Sequence, residues 1–265
     1  MSEEIASPPA ANEQTARYLY CVVPESKPQV LGSIGIEGQM VYAVACEKLA
    51  ALVHDCPPQP YQSQDDEIAG AWVLAHHRVV DAAWKRWGTV LPLRFNTIIV
   101  AERSGIEAAL TIWLRNEYVA LQGKLDSLRG KAEYGVQVFW DPQAVSKIMA
   151  QTDPEIVRLK EEIAPLPRGA AYMYRQKLER LLRSAVEARA QAEFTELYRA
   201  ISACAEKVRV EKTKNAEGGG QMLLNLYCLV DGGKAGELER VTDAISARDN
   251  FRVRLAGPLP PYSFC

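Results

Sequence analysis

Apolar and polar positions alternate along this chain in a way that reads as two successive α+β segments. Tyr18-Leu19-Tyr20-Cys21-Val22-Val23 is an unbroken apolar run closed by Pro24, the pattern of a buried strand. Met40 to Cys46 and Leu49 to His54 are two more strand candidates, joined tightly enough for a hairpin, and Pro57-Pro58-Gln59-Pro60 then breaks the chain into a loop. Asp65-Asp66-Glu67 places acid at the positive end of a helix dipole. Behind it Ile68, Trp72, Ala75, Val79, Ala83 and Trp87 recur at helical spacing as far as Gly88, a natural stop. Val90 to Val100 returns to strand, in one piece or two, with Pro92 disfavouring an interior position for its first half. Ile106, Leu110, Leu114, Leu121, Leu125 and Leu128 predict a second helix from about Ser104 to Leu128, ended by Gly130.

The second segment opens near Tyr134. Gly135 to Trp140 alternates like a strand, and Asp141-Pro142 and Asp153-Pro154 each set a capping carboxylate before a proline in a first helical turn. Pro165 and Pro167 end the second of these helices. No Gly or Pro interrupts the chain from Ala170 to Lys207, where Leu178, Leu181, Ala185, Ala188 and Ala192 form a narrow apolar stripe. An unbroken helix of that length would reach roughly 55 Å, so it must bend, split near Phe194-Thr195, or project. Val208 to Lys212, Met222 to Val230 and Phe251 to Leu255 are strand candidates, with a loop at Asn215 to Gly220 and a helix from Gly233 to about Arg248. The order is βαββαβ, that of a ferredoxin-like split βαβ unit with its first crossover swollen by extra helices. The expected organisation is therefore an α+β chain with a disordered leader over 1–16, an N-terminal α+β domain over 17–131, and a ferredoxin-like domain over 132–265 that carries a helical insertion and a docked tail.

That tail is Gly257-Pro258-Leu259-Pro260-Pro261-Tyr262-Ser263-Phe264-Cys265, with three prolines, two aromatic rings and no charged side chain. Proline restricts its own φ and the residue before it, so the segment is stiff before it meets anything. It either docks on its own domain, the favoured reading, or offers a surface to another protein.

Composition narrows the classes of function. At 265 residues two domains are the better prior, and 48% hydrophobic with 24% charged residues is an ordinary globular balance. A net charge of -2 gives no global attraction to nucleic acid or an anionic membrane. The segment Lys207 to Lys214 is basic but poor in aromatics, and reads as a strand edge guarded by lysines. Six cysteines stand without a C-x-x-C pair, which argues for reduced thiols, three of them packed as small hydrophobes in apolar strands. The N-terminus lacks the basic and apolar regions of a signal peptide, and the longest apolar run, nine residues from Met222 to Val230, is too short to span a bilayer.

Candidate chemistry is sparse. His76 and His77 are adjacent on a helix, about 100° apart, and do not converge on one metal; a surface or boundary pair is the expectation. Gly218-Gly219-Gly220 is not followed by the G-K-[ST] of a phosphate loop. No G-x-S-x-G or cysteine-protease signature is present. Arg94, within the apolar run Leu91-Pro92-Leu93-Arg94-Phe95, is the more unusual charge; it forms an internal ion pair or faces a partner.

Four segments in order now carry a resemblance. Tyr18 to Pro24, then Ala75-His76-His77-Arg78-Val79-Val80 followed by Val90-Leu91-Pro92-Leu93-Arg94-Phe95-Asn96-Thr97, then Gly130-Lys131-Ala132-Glu133-Tyr134-Gly135-Val136-Gln137-Val138, and finally Gly257 to Phe264 are similar to the motifs of the gas vesicle F/L family. Leu259 stands where that family more often has an aromatic residue, and Asn96 where it more often has glycine or another small residue. The resemblance implies two α+β domains, the second a modified ferredoxin-like fold. It implies a non-enzymatic minor component or assembly factor of the gas-filled, protein-walled buoyancy compartment, without a cofactor or metal and with no nucleic-acid or lipid-membrane partner. Its expected partners are the small apolar shell protein and other gas vesicle accessory proteins. A growing shell subunit exposes apolar surface and strand edges, and a helper needs contact area rather than acid–base groups. Candidate contacts are Arg94, Leu178 and Leu181 on the long helix, and Tyr262 and Phe264 on the tail. The competing expectation is a ferredoxin-like regulatory module that binds a small ligand, which requires a pocket with converging polar groups.

Overall fold

The computed structural model describes residues 16–100, 105–213 and 220–265. The expected leader, apart from Ala16, and most of the expected loop at 215–220 lie outside these residues. The chain divides into two compact units, residues 1–131 with 260–265, and residues 132–259. The last six residues thus group with the first unit, a correction to the expectation that they close the second.

The first unit is built on β1 (Ala16–Val23), β2 (Gln29–Gly32), β3 (Val41–Cys46), β4 (Leu49–Cys56), β5 (Leu91–Pro92) and β6 (Ile98–Val100). The sheet order is β2-β3-β4-β1-β5, with β6 also paired to β1. Strand β1 is therefore central, and all eight of its residues are buried. Continuous apolar character suits a strand covered on both faces. It runs antiparallel to β4, with Tyr18 opposite His54 and a register shift between Leu19 and Cys21.

Helix α1 (Asp66–Trp87) follows the apolar stripe closely: Ala75, Val79 and Ala83 are buried, although Ile68 at the helix start is exposed. The Asp65 carboxylate accepts from the amides of Glu67 and Ile68, and Gly88 ends the helix at φ 68°, a left-handed conformation that costs glycine little. The next helical stretch is two helices, α2 (Ile106–Asn116) and α3 (Tyr118–Leu128), parted at Glu117. Leu110, Leu114, Leu121, Leu125 and Leu128 are buried as the periodicity requires.

The second unit contains β7 (Lys131–Trp140), α4 (Pro142–Thr152), α5 (Pro154–Ile163), α6 (Arg168–Ser202), β8 (Lys207–Val210), β9 (Gln221–Asp231), α7 (Ala235–Ser246) and β10 (Phe251–Leu259). Its sheet order is β10-β7-β9-β8. Asp141 and Asp153 cap α4 and α5 through their side chains, with proline in each first turn. Helix α6 runs 35 residues without a break at Phe194-Thr195. Its length is accommodated because different parts pack on different neighbours: α4 and α5, β9, and α7. Leu197 and Ile201 are buried near its C-terminal end, while Leu178 and Leu181 are only half-buried.

Candidate functional site

The densest cluster of polar chemistry lies inside the first unit. Tyr18 and Tyr20 sit two apart on β1 and so face the same side, with ring centroids 4.9 Å apart. The Tyr20 hydroxyl accepts from the Ile36 amide at 2.9 Å and donates to His54 Nδ1 at 2.8 Å. That leaves the His54 proton on Nε2, from which it donates to the Tyr61 hydroxyl at 3.0 Å. In the same way the Tyr18 hydroxyl accepts from the Asn96 amide at 3.2 Å and donates to His76 Nδ1 at 2.8 Å. The proton of His76 is then on Nε2, a buried atom near the Leu93 backbone but without a well-formed hydrogen bond among the described residues. Asn96 stands at φ 65°, where glycine and asparagine are best tolerated, which gives a backbone reason for a small residue at this place. Its side chain clasps the loop by accepting from the Tyr61 amide at 2.9 Å and donating to the Tyr61 carbonyl at 3.1 Å.

Burial holds both imidazoles down at about 4, with the charge of His77 adding to the effect at His76. Burial also pushes the hydroxyls of Tyr18 and Tyr20 well above the ordinary phenol value, and Tyr61 up to about 12. A general acid or base is useful when it titrates near the working pH. None of these five groups changes protonation near neutrality, so the cluster works as a hydrogen-bonded core rather than as a proton relay. His76 is 2% exposed and His77 is exposed, so of the expected surface or boundary pair the boundary form is the one seen. The signal available in the sequence was the Tyr-x-Tyr spacing on a strand facing a histidine strand, but the pairing of Tyr18 with His76 spans 58 residues.

The five sequence-predicted contact residues are divided between the units. Arg94 is not inside a strand. It is exposed, in the turn between β5 and β6, where its carbonyl accepts from the Thr97 amide at 3.1 Å and the Thr97 hydroxyl at 2.7 Å. Its guanidinium has no ion-pair partner among the described residues.

Tyr262 and Phe264 are half-buried in a single helical turn, behind the buried Pro260 and Pro261. Tyr262 packs on the core of the first unit and meets the His77 ring edge-on at 4.7 Å, with its hydroxyl buried and unpartnered among the described residues. The tail is therefore a docked strap. Its launch point is fixed by Gly257 at φ 145°, where an added Cβ would lie 2.6 Å from Tyr134 Cδ1 and 3.0 Å from the Glu133 carbonyl. Leu178 and Leu181 lie on the half-buried side of α6. The same helix instead exposes Tyr172 (63%), Met173 (74%) and Tyr174 (42%).

In the second unit a cavity of about 420 Å³ is walled by Trp140, Val145, Ile148, Met149 and Phe251. On its polar side the buried Glu193 carboxylate is held by Arg189 and, at 2.6 Å, by Arg248, which also reaches Glu196 at 3.1 Å. These charges satisfy one another. Among the described residues no group of three His, Cys, Asp or Glu side chains is placed to hold a metal, and no helix is long and apolar enough to cross a membrane.

The fold is a mixed α/β one, and its densest polar cluster is the buried Tyr–His network of the first unit. The match to known sequences gives that class a family. The family model described as gas vesicle synthesis protein GvpL/GvpF matches residues 16–265, and the chain belongs to this family. Gas vesicle protein L2 of Halobacterium salinarum is 30% identical over 257 residues, covering 94% of this chain and 90% of the relative. Gas vesicle protein F of Streptomyces sp. (strain CB03234) is 29% identical, covering 93% and 98%. Among solved structures, gas vesicle protein GvpF from Anabaena sp. PCC7120 superposes with a TM-score of 0.73 at 19% identity, covering 94% of this chain and 98% of that one. GvpF from Microcystis aeruginosa gives 0.65 at 20% identity. At such identities these two likenesses speak for the fold alone. Family membership supports a role in the gas vesicle system and association with that compartment.

Proposed function

We propose that this chain is a non-enzymatic assembly component of the gas vesicle that binds the small apolar shell protein, and that residues 132–259 form a modified ferredoxin-like domain beside an N-terminal α+β domain. The strand order β10-β7-β9-β8 supports the second point, because the strands taken in sequence run 4-1-3-2 with helices in both crossovers. The helices α4, α5 and α6 are the enlargement of the first crossover.

The observation that carries the shell-contact reading is the bare stretch Tyr172-Met173-Tyr174 on α6. Consecutive helical residues point about 100° apart, so three large apolar side chains in a row sheathe most of the helix circumference at that level. Tyrosine is enriched at binding hot spots, and methionine adapts its shape to a partner. Arg94, exposed and without an acidic partner among the described residues, is a second candidate on the first unit. Tyr262 and Phe264, being docked, and Leu178 and Leu181, being half-buried, move down the order. The regulatory-module alternative asks for polar groups that await a ligand, whereas Arg189 and Arg248 are already paired with Glu193 and Glu196.

The test is co-purification of the tagged chain with co-expressed small shell protein, comparing the intact chain with Tyr172→Ser/Met173→Ser/Tyr174→Ser and with Arg94→Ala. Loss of the shell protein from the triple variant, with an unchanged circular dichroism spectrum, is the expected result. Full retention by both variants would sink the contact surface proposed.

A further inference from the structure

The outer edge of the second unit carries a feature that the shell-contact reading does not use. Strand β10 ends the sheet, so one side of its backbone is unpaired among the described residues. Over Phe251–Ala256 it runs in regular register with β7, before the irregularity between Ala256 and Leu259. Arg252 lies opposite Phe139 and Arg254 opposite Gln137, so both arginines share one face. Both guanidinium groups stack over the Phe139 ring, at 4.9 and 5.3 Å from its centroid. Neither has an acidic partner among the described residues. At the head of the strand a cavity of about 430 Å³ is lined by the rings of Phe139, Trp140 and Phe251, by Arg252, and by the polar Asp141, Gln143 and Asn250.

Charged side chains on an edge strand commonly serve only to repel other edges. Such guards are free to wave in solvent. Here both stack on one ring, at alternate positions, beside a cavity large enough to admit a side chain. Strand addition draws affinity from main-chain hydrogen bonds and specificity from pockets and charges at alternate positions. We propose that the β10 edge is a docking site for an extended acidic segment of a partner protein, which adds as a further strand with carboxylates at alternate positions against Arg252 and Arg254 and places an apolar side chain in the cavity at Phe251. In the register centred on Val253 a second copy of this chain is disfavoured at the edge. Antiparallel pairing of β10 with itself about Val253 sets Arg252 against Arg254 of the other copy twice over, and like charges directly opposite are destabilising.

The proposal does not depend on the identity of the shell partner and is tested without it. A fluorescein-labelled hexapeptide with valine and glutamate at alternate positions is titrated with the full chain at physiological salt and followed by fluorescence polarisation. Three comparisons accompany it: the same peptide with lysine for glutamate, the acidic peptide N-methylated at alternate residues, and the Arg252→Glu/Arg254→Glu chain. Saturable binding of the acidic peptide below about 1 mM is expected. Binding should fall about tenfold or more on charge reversal, in line with two cross-strand charge pairs, and the reversed chain should take the lysine peptide instead. N-methylation should abolish binding, because it removes strand pairing and leaves the charge intact. If the doubly reversed chain loses its circular dichroism spectrum, Arg254→Gln, which keeps the side chain's bulk, should still bind the acidic peptide more weakly than the intact chain. No binding at 1 mM, equal binding of the N-methylated peptide, or binding indifferent to the arginine changes would each overturn the proposal.

Discussion

Strand β1 and helix α6 spend their side chains in opposite ways. All eight residues of β1 are buried, and its two tyrosines hold two histidines, a loop and a turn in one hydrogen-bonded cluster. Helix α6 has more than four times as many residues, yet most of its positions between Tyr172 and Arg189 face solvent. An element buried on every side stabilises the fold and has nothing left to offer a partner. One anchored along a narrow stripe can change its outer residues at little cost to the fold. The difference sets a stabilising core in the first unit against the contact surface proposed on the second unit's helix, and each can be tested separately.

The largest expected effect is that of acid on the first unit. His54 and His76 are held neutral at about 4 against an ordinary value of 6.5. Above pH 6.5 neither the folded nor the unfolded chain protonates them. As pH falls below 6.5 the unfolded chain takes up protons that the folded chain refuses, so stability drops until about pH 4. By pH 5, above most of the carboxylate range, the loss is about 2 kcal/mol for each histidine and about 4 kcal/mol for the pair. Urea denaturation at pH 7 and pH 5 measures this directly. Identical midpoints would mean that the imidazoles are not held neutral by burial, and the contrast with α6 would fail on the β1 side.

A smaller effect is expected from Tyr20→Phe. The ring and its packing stay, but the Ile36 amide loses its acceptor and His54 Nδ1 its donor. Leaving buried groups unsatisfied costs about 1–3 kcal/mol each, and partial relaxation brings the pair to about 2 kcal/mol. A shift in urea midpoint without a change in slope is the expected signature. A variant as stable as the parent would show that these hydrogen bonds are dispensable and that burial alone carries β1.

Much of this contrast is legible in the residues, within limits set by sequence distance. Continuous apolar runs identify β1, β4 and β9, and Asp-Pro pairs identify the starts of α4 and α5, because both signals are local. The parting of α2 from α3 at Glu117 carries no proline or glycine, and so leaves no local mark. Arg94 reads as a strand residue because apolar runs, Val90 to Leu93 and Ile98 to Val100, flank it on both sides. The turn depends on Asn96 adopting φ 65° and clasping Tyr61, a partner 35 residues away. Which of His76 and His77 turns inward is hidden for the same reason, since the partner of His76 lies on β1. The tail's stiffness and lack of charge were visible, whereas its placement with the first unit rests on Tyr262 meeting His77, which adjacency along the chain cannot show.

The smallest expected effect on stability is the most informative about α6. Met173 is 74% exposed, so Met173→Ser removes little buried area and should change stability by no more than about 0.5 kcal/mol, as surface substitutions do. Serine is a somewhat poorer helix former than methionine, which sets the sign of that small change as destabilising. The same substitution takes a flexible apolar side chain from the middle of Tyr172-Met173-Tyr174 and should lower the amount of shell protein retained on the tagged chain. Stability and retention then separate: Tyr20→Phe moves the first, Met173→Ser the second. If Met173→Ser instead lowered the denaturation midpoint as far as Tyr20→Phe does, the outer face of α6 would be a buried structural surface and not a place of contact. The division of labour between β1 and α6 would then have to be abandoned.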